Sequence, residues 1–158
     1  MRALILSAVA ACALDQLSKL IVVHWMNLKE IRAIDVLPPI LNFRMGWNQG
    51  VNFGLFGSDS DLMRWVLIAL ALGICVAVVI WVRREGGGRA AEISAGLLVG
   101  GAIANVIDRV IYGAVADFLN MSCCGIRNPF TFNLADVTIF AGALGLVIFA
   151  GKSEKNPS

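Results

Sequence analysis

Apolar residues run along this chain in four blocks, separated by segments in which glycine, proline and charge return. The first block, 3–25, carries Asp15, Gln16, Ser18 and Lys19 in its second half. The second, 62–82, is free of charge from Trp65 to Val82, with Trp65 and Trp81 near its ends, where interfacial aromatics belong. The third, 93–112, is apolar apart from Ser94, Asn105, Asp108 and Arg109, and the fourth, 136–150, is short and opens on Asp136. A helix needs about 20 such residues to cross a bilayer core. The pattern therefore predicts an all-α membrane protein with four transmembrane helices, organised as a single domain over 1–158.

The two longer connections, 26–61 and 113–135, are not featureless. Gly46, Gly50 and Gly54 are spaced among bulky aromatic and aliphatic residues in 40–56. Glycine costs about 1 kcal/mol in a helix interior, so this stretch predicts a kinked antiparallel β-ribbon. The pair Pro38 and Pro39 ends whatever precedes it. Residues 113–133 read as an irregular segment, with room for a short helix or flap, and 86–88 as a flexible turn. No internal repeat and no separate soluble domain is visible.

Composition sharpens the class. The chain is 58% hydrophobic and 15% charged, with mean hydropathy +0.78, against roughly 25% charged in soluble domains. That balance excludes an ordinary water-soluble domain, and so apolar a chain is not disordered either. A net charge of +2 leaves no basic surface for nucleic acid. Lysine and arginine close to the spans set orientation. Arg2, Arg83, Arg84, Arg89, Lys152 and Lys155 crowd the short segments at one end, whereas the far longer 26–61 and 113–135 hold only Lys29, Arg32, Arg44 and Arg127. Both termini are therefore expected in the cytoplasm, with the ribbon or cradle and the short helix or flap outside it. Residues 9–12, Val-Ala-Ala-Cys, mimic the cleavage site of a bacterial lipoprotein precursor, but hydrophobicity continues to Val23, which favours a retained first span.

A charge at bilayer depth costs at least ~2.5–3.5 kcal/mol and needs a reason. Asp15 and Lys19 lie one helical turn apart and can pair, either clamping helices together or belonging to a site. Asn105, Asp108 and Arg109 are expected to share a face of the third span, with Gly101 one turn earlier. Asp117, in Val115-Ala-Asp-Phe118, and Asp136, in Phe132-Asn-Leu-Ala-Asp136, complete the set. With the predicted topology all of these converge on the outer third of the bilayer. His24 at a span end reads as interfacial. Cys12, Cys75, Cys123 and Cys124 have no zinc-binding spacing, so no metal or other cofactor is expected.

Basic residues near Asp117 and Asp136 are few, so at least one of these carboxylates lacks a dedicated partner. Two carboxylates in a semi-dry site hold one proton between them. The ionised member can then take a proton from water while the protonated one polarises a carbonyl, which is aspartyl-type hydrolysis. A proton-coupled transporter or channel subunit using Asp15, Lys19, Asp108 and Arg109 as a relay is the alternative. It would place polar groups on both sides of the midplane, and a non-catalytic lipoprotein or assembly subunit is a third reading.

Five blocks carry a family resemblance. Asp15-Gln-Leu-Ser-Lys19 is similar to D-x-x-[ST]-K, and Asn48-Gln-Gly-Val-Asn-Phe-Gly54 to N-x-G-x-x-F. Gly100-Gly-Ala-Ile-Ala-Asn-Val-Ile-Asp-Arg109 is similar to G-G-A-x-x-N-x-[IL]-D-R, and the two aspartate blocks above follow in order. Together they resemble bacterial lipoprotein signal peptidase (signal peptidase II) along the whole chain. The resemblance implies Asp117 and Asp136 as a catalytic dyad, Asn48 and Arg109 at the substrate groove, and Asn105 and Asn133 supporting the dyad. Asp15 and Lys19 would line or brace the site, with Gly101 and Ala135 in the supporting blocks. It further implies diacylglyceryl-prolipoprotein substrates cut just before the lipidated cysteine, contact with membrane lipid, inhibition by cyclic peptides such as globomycin, action as a monomer, and residence in the bacterial cytoplasmic membrane. Ala104 stands where the family commonly has glycine, and Asn52 where a small residue is usual.

Overall fold

A computed structural model describes residues 1–50, 60–123, 125 and 128–149. Helix α1 (Arg2–Lys19) runs without a break into a π-helical stretch, Leu20–Trp25. A four-residue helix α2 (Leu28–Ile31) follows, then strands β1 (Ala33–Leu37) and β2 (Leu41–Asn48). Two long helices, α3 (Ser60–Glu85) and α4 (Gly88–Tyr112), lead to strand β3 (Val115–Asn120) and helix α5 (Leu134–Phe149). Three helical stretches, Arg2–Trp25, Asp61–Glu85 and Gly88–Tyr112, are long and apolar enough to cross a membrane, and α5 is a shorter apolar helix of 16 residues.

The bundle buries charged groups and exposes large apolar side chains. Val147 is 80% exposed and Phe140 and Leu6 are each 71% exposed, while Asp15 and Asp108 are 0% exposed. Such an inversion is stable only where the surroundings are themselves apolar, because scattered exposed apolar side chains of this density would otherwise form aggregating patches.

Helix α4 is the hub, packing on α1, α3 and α5. Its small residues let the neighbours approach. A Cβ on Gly96 would strike Ser7 Oγ and the Leu4 carbonyl, and one on Gly100 the Ala8 carbonyl, so this G-x-x-x-G face packs on α1 within the chain. From the other side, a Cβ on Gly142 of α5 would lie 2.5 Å from the Leu98 nitrogen and the Ser94 carbonyl. Leu4, Val82, Ala91, Leu98 and Leu146 close the end of the bundle away from the sheet. At the other end Val22 and Val23, both buried on the π-helical stretch, pack with Leu28, Ala116 and Phe118 and seat the sheet on the helices.

Two expectations are corrected. The ribbon begins at Ala33, not within 40–56, and is a three-stranded antiparallel sheet of order β1-β2-β3. Its third strand is the start of 113–133, which read as irregular: Gly46 pairs with Asp117 and Trp47 with Ala116. The chain is thus mostly helical with a small sheet rather than purely α with a ribbon. The turn expected at 86–88 is present: α3 ends at Glu85, α4 begins at Gly88, and Gly86 (φ 64°) and Gly88 (φ 71°) adopt the left-handed backbone that turns the chain. The short helix beside the sheet is α2, in 26–61.

Packing at Gly100 generates a test. Gly100→Ala forces its methyl into the α1 backbone and is expected to destabilise by about 1–3 kcal/mol. Gly73 of α3 has nothing within 4 Å of a built Cβ, so Gly73→Ala is expected to be neutral or slightly stabilising. Thermal denaturation in detergent micelles, read side by side, checks both.

Candidate active site

Helix α5 is started by its own site residue. Asn133 caps it: the Asp136 amide donates to Asn133 Oδ1 at 2.9 Å, and Asp136 Oδ2 accepts from the Asn133 amide at 3.3 Å. This reciprocal capping box fixes the Asp136 carboxylate at the helix N-terminus, where the aligned peptide dipoles favour negative charge. Asp117 comes from β3, beside Gly46 of β2, where a side chain would collide with Thr131 Oγ1.

Three carboxamides join the two aspartates. Asn133 Nδ2 donates to Asp117 Oδ1 at 2.6 Å and to Asn105 Oδ1 at 3.2 Å. Asn105 Nδ2 donates to Asp136 Oδ1 at 3.1 Å, and Asn48 Nδ2 to Asp117 Oδ2 at 3.1 Å. The Gly50 amide holds Asn48 in turn, donating to its Oδ1 at 2.9 Å. Each carboxylate oxygen therefore accepts an N–H, and Asn133, 0% exposed, is common to both acids. Burial pushes the Asp117 carboxyl up to about 6, and the neighbouring Asp136 adds to the rise, against the lowering effects of Asn48, Asn133 and Lys19.

Two cavities border these groups, one at Asn105 and the other at Asn48 and Asp117. One, of about 300 Å³, is an apolar groove between α3, α4 and α5, lined by Leu67, Ile74, Ile139, Asn105 and Arg109 among others. The other, of about 290 Å³, lies on the sheet side and is lined by Trp47, Asn48, Asp117, Phe130 and Thr131 among others. Arg109 Nη1 donates to the Asn105 carbonyl at 3.3 Å, while its buried Nε has no hydrogen-bond partner among the described residues. The guanidinium thus adds a cation to the groove wall.

Asn105, Asp108 and Arg109 do not share one face. Asn105 and Arg109 look toward α5 and the groove, whereas Asp108 looks toward α1 and β3. Successive helical residues turn by about 100°, so neighbours such as Asp108 and Arg109 diverge. Asp108 belongs to a second, fully buried cluster. Lys19 Nζ lies 2.6 Å from both Asp15 Oδ2 and Asp108 Oδ2, and Gln16 Nε2 donates to Asp108 Oδ1 at 2.9 Å. Gln16 and the peptide amides that this cluster holds escape sequence reasoning, because their partners lie on other elements. The capping box was legible in principle from Asn133-Leu-Ala-Asp136.

The remaining residues are placed as follows. Gly101 admits α5 closely, a Cβ there falling 2.5 Å from the Ala135 carbonyl, and Ala135 is itself fully buried. His24 Nε2 lies 3.1 Å from the Tyr112 hydroxyl, across from Trp47. Among the described residues no group of three or more His, Cys, Asp or Glu is arranged to hold a metal ion. Asn52 and the 51–54 part of its block, Cys124, Arg127, and 150–158 with Lys152 and Lys155 lie outside the described residues.

Comparison with known proteins gives a consistent result. The family model described as signal peptidase (SPase) II matches residues 7–151. The chain is 39% identical over 144 residues to a lipoprotein signal peptidase of Methylorubrum extorquens (strain PA1), covering 91% of this chain and 82% of the relative. It is 40% identical over 157 residues to one from Methylobacterium sp. (strain 4-46), covering 98% and 93%. Two solved structures described as bacterial membrane enzymes superpose with TM-scores of 0.75 and 0.77, each at 27% identity. The first covers 98% of this chain and 94% of the solved one, the second 92% and 90%.

The Asn48 hydrogen bond favours ionised Asp117, so Asn48→Ala is expected to raise the Asp117 carboxyl further above about 6. Infrared titration of the carboxyl band, with Asp117→Asn identifying it, should find the midpoint at higher pH than in the parent protein.

Proposed function

The chain belongs to the signal peptidase II family of aspartic-type peptidases, and we propose that it removes the signal peptide from diacylglyceryl-modified prolipoproteins. It is a multi-pass bacterial membrane protein. In this reading it is a single domain of four spans in the cytoplasmic membrane, α5 being the fourth. Both termini face the cytoplasm and the sheet faces outward. The scissile bond, just before the lipidated cysteine, enters between Asp117 and Asp136, while the signal helix lies in the groove between α3, α4 and α5. The acyl chains stay among membrane lipids.

One observation carries this reading: both aspartates are tied to the buried Asn133, Asp117 by its carboxamide and Asp136 by its backbone amide, with an apolar groove reaching Asn105 and a polar cavity reaching Asp117. In this mechanism Asp117, whose carboxyl is raised by burial and by the neighbouring Asp136, carries the shared proton as the substrate binds. Asp136 is the base. Water attacks the peptide carbonyl carbon as Asp136 takes its proton, and Asp117 gives its proton to the carbonyl oxygen. The resulting diol collapses as Asp117 recovers a proton from one hydroxyl and Asp136 protonates the departing nitrogen. The C–N bond breaks, and both acids return to their starting states. The preorganised donors on the dyad keep the two carboxylates in place while charge moves between them.

Asn48 and Arg109 bind substrate backbone, and they are also the contacts for a cyclic peptide inhibitor such as globomycin. Asn105 and Asn133 hold the dyad, Asp15 and Lys19 brace it from behind, and Gly101 and Ala135 bring α5 close enough to α4. The protein acts as a monomer and needs no cofactor.

Purified protein and a lipidated precursor peptide test this reading. Asp117→Asn and Asp136→Asn are each expected to lower turnover at least about 10³-fold, ~4 kcal/mol in transition-state stabilisation. Turnover retained in both would end the assignment. Arg109→Ala is expected to raise KM and weaken globomycin binding, measured by inhibition titration, because it removes a guanidinium from the groove wall.

A further inference from the structure

We propose that the buried Asp15–Lys19–Asp108 cluster sets the spacing of the two catalytic aspartates, each of its carboxylates holding the peptide N–H of the residue immediately before one of them. The proposal rests on the dyad reading above and adds a positioning role to it. Asp108 Oδ2 accepts the Ala116 amide at 3.0 Å, and Ala116 precedes Asp117. Asp15 Oδ1 accepts the Ala135 amide at 2.9 Å, and Ala135 precedes Asp136. Lys19 is the node between them, 2.6 Å from each carboxylate, with Asp15 and Asp108 0% and Lys19 5% exposed.

Both amides would otherwise be orphans. Strand β3 is an edge of the sheet, so an amide turned away from β2 has no ladder partner. Ala135 sits in the first turn of α5, where N–H groups have no partner inside the helix. Burial makes each bond costly to lose. The linkage is also short: Cα atoms of consecutive residues are a fixed distance of about 3.8 Å apart, so displacing either amide carries the adjacent aspartate with it. Gln16 spans the far side, donating to Asp108 Oδ1 at 2.9 Å and to the Ala104 carbonyl at 3.3 Å, which holds the Asp108 carboxylate against rotation. Gln16, Lys19 and Asp108 line a separate cavity of about 350 Å³ with Trp47 and Tyr112, and neither they nor Asp15 lines the groove or the cavity at Asp117. They are therefore expected to act on the rate of the chemical step and not on substrate binding.

Asp108→Leu removes the acceptor for the Ala116 amide, whereas Asp108→Asn retains an oxygen there and leaves Lys19 paired with Asp15. Both are assayed in the full-length protein with a lipidated precursor peptide, with Asp117→Asn in parallel. The expected result is a kcat lower by about 10²-fold for Asp108→Leu, the scale of an ångström-sized misplacement, with KM unchanged and most of kcat regained in Asp108→Asn. Gln16→Met, which changes no charge, is expected to give a smaller fall in kcat at unchanged KM, and it carries the test if Asp108→Leu does not fold. Parent-like kcat in Asp108→Leu or in Gln16→Met overturns the proposal, as does an Asp108→Asn variant no faster than Asp108→Leu, or a loss expressed in KM. Full activity in Asp117→Asn would instead remove the dyad reading, so the two failures are distinguishable.

Discussion

Asp15, Lys19, Asp108, Asp117 and Asn133 are all buried at one end of a bundle whose exterior is apolar, and an unmatched charge or polar atom there would cost several kcal/mol. The arrangement at this end is governed by that demand. The carboxylate oxygens of Asp117 and Asp136 receive N–H groups from Asn48, Asn105 and Asn133, and the Lys19 cluster receives peptide amides from β3 and α5. Meeting the demand with neutral carboxamides rather than with cations keeps the Asp117 carboxyl high, since burial and Asp136 both oppose its ionisation. A lysine set directly on Asp117 and Asp136 would stabilise both ionised forms. Lys19 instead compensates its own two carboxylates.

Helix packing makes this possible. The glycines and alanines of α4 bring α1 and α5 close on opposite sides, so residues on the last turns of α4 can reach both. Asp108 turns to α1 and β3, while Asn105 and Arg109 turn to α5 and the groove. One helix therefore serves a rigid ionic cluster and an accessible cavity from adjacent residues. The sheet contributes less by burial of its own than by delivering Asp117 and Asn48 to the end of that helix from paired strands.

Much of the site was visible as chemistry out of place. Aspartates and a lysine inside apolar blocks mark themselves, and Asn133 with Asp136 carries the spacing of a helix cap. Strand β3 was not visible, because Val115, Ala116, Asp117 and Phe118 are all buried and show no in-out alternation; only pairing with β2 makes them a strand. The shared face expected for Asn105, Asp108 and Arg109 failed for a related reason. An interval of three or four residues limits a face to a broad arc, and what stands opposite decides which part of that arc each side chain uses.

Hydropathy and charge are local properties, so the amino-acid order alone determined which segments shun water, where helices run between glycine turns, and which few ionisable groups had to find partners. Who partners whom was left to the tertiary structure. Lys19 lies between two carboxylates from different helices, and Asp117 and Asp136 share Asn133, because of how closely α1, α4 and α5 approach and how each is rotated about its axis. Those are distances between chain segments remote in sequence, and no local pattern encodes them.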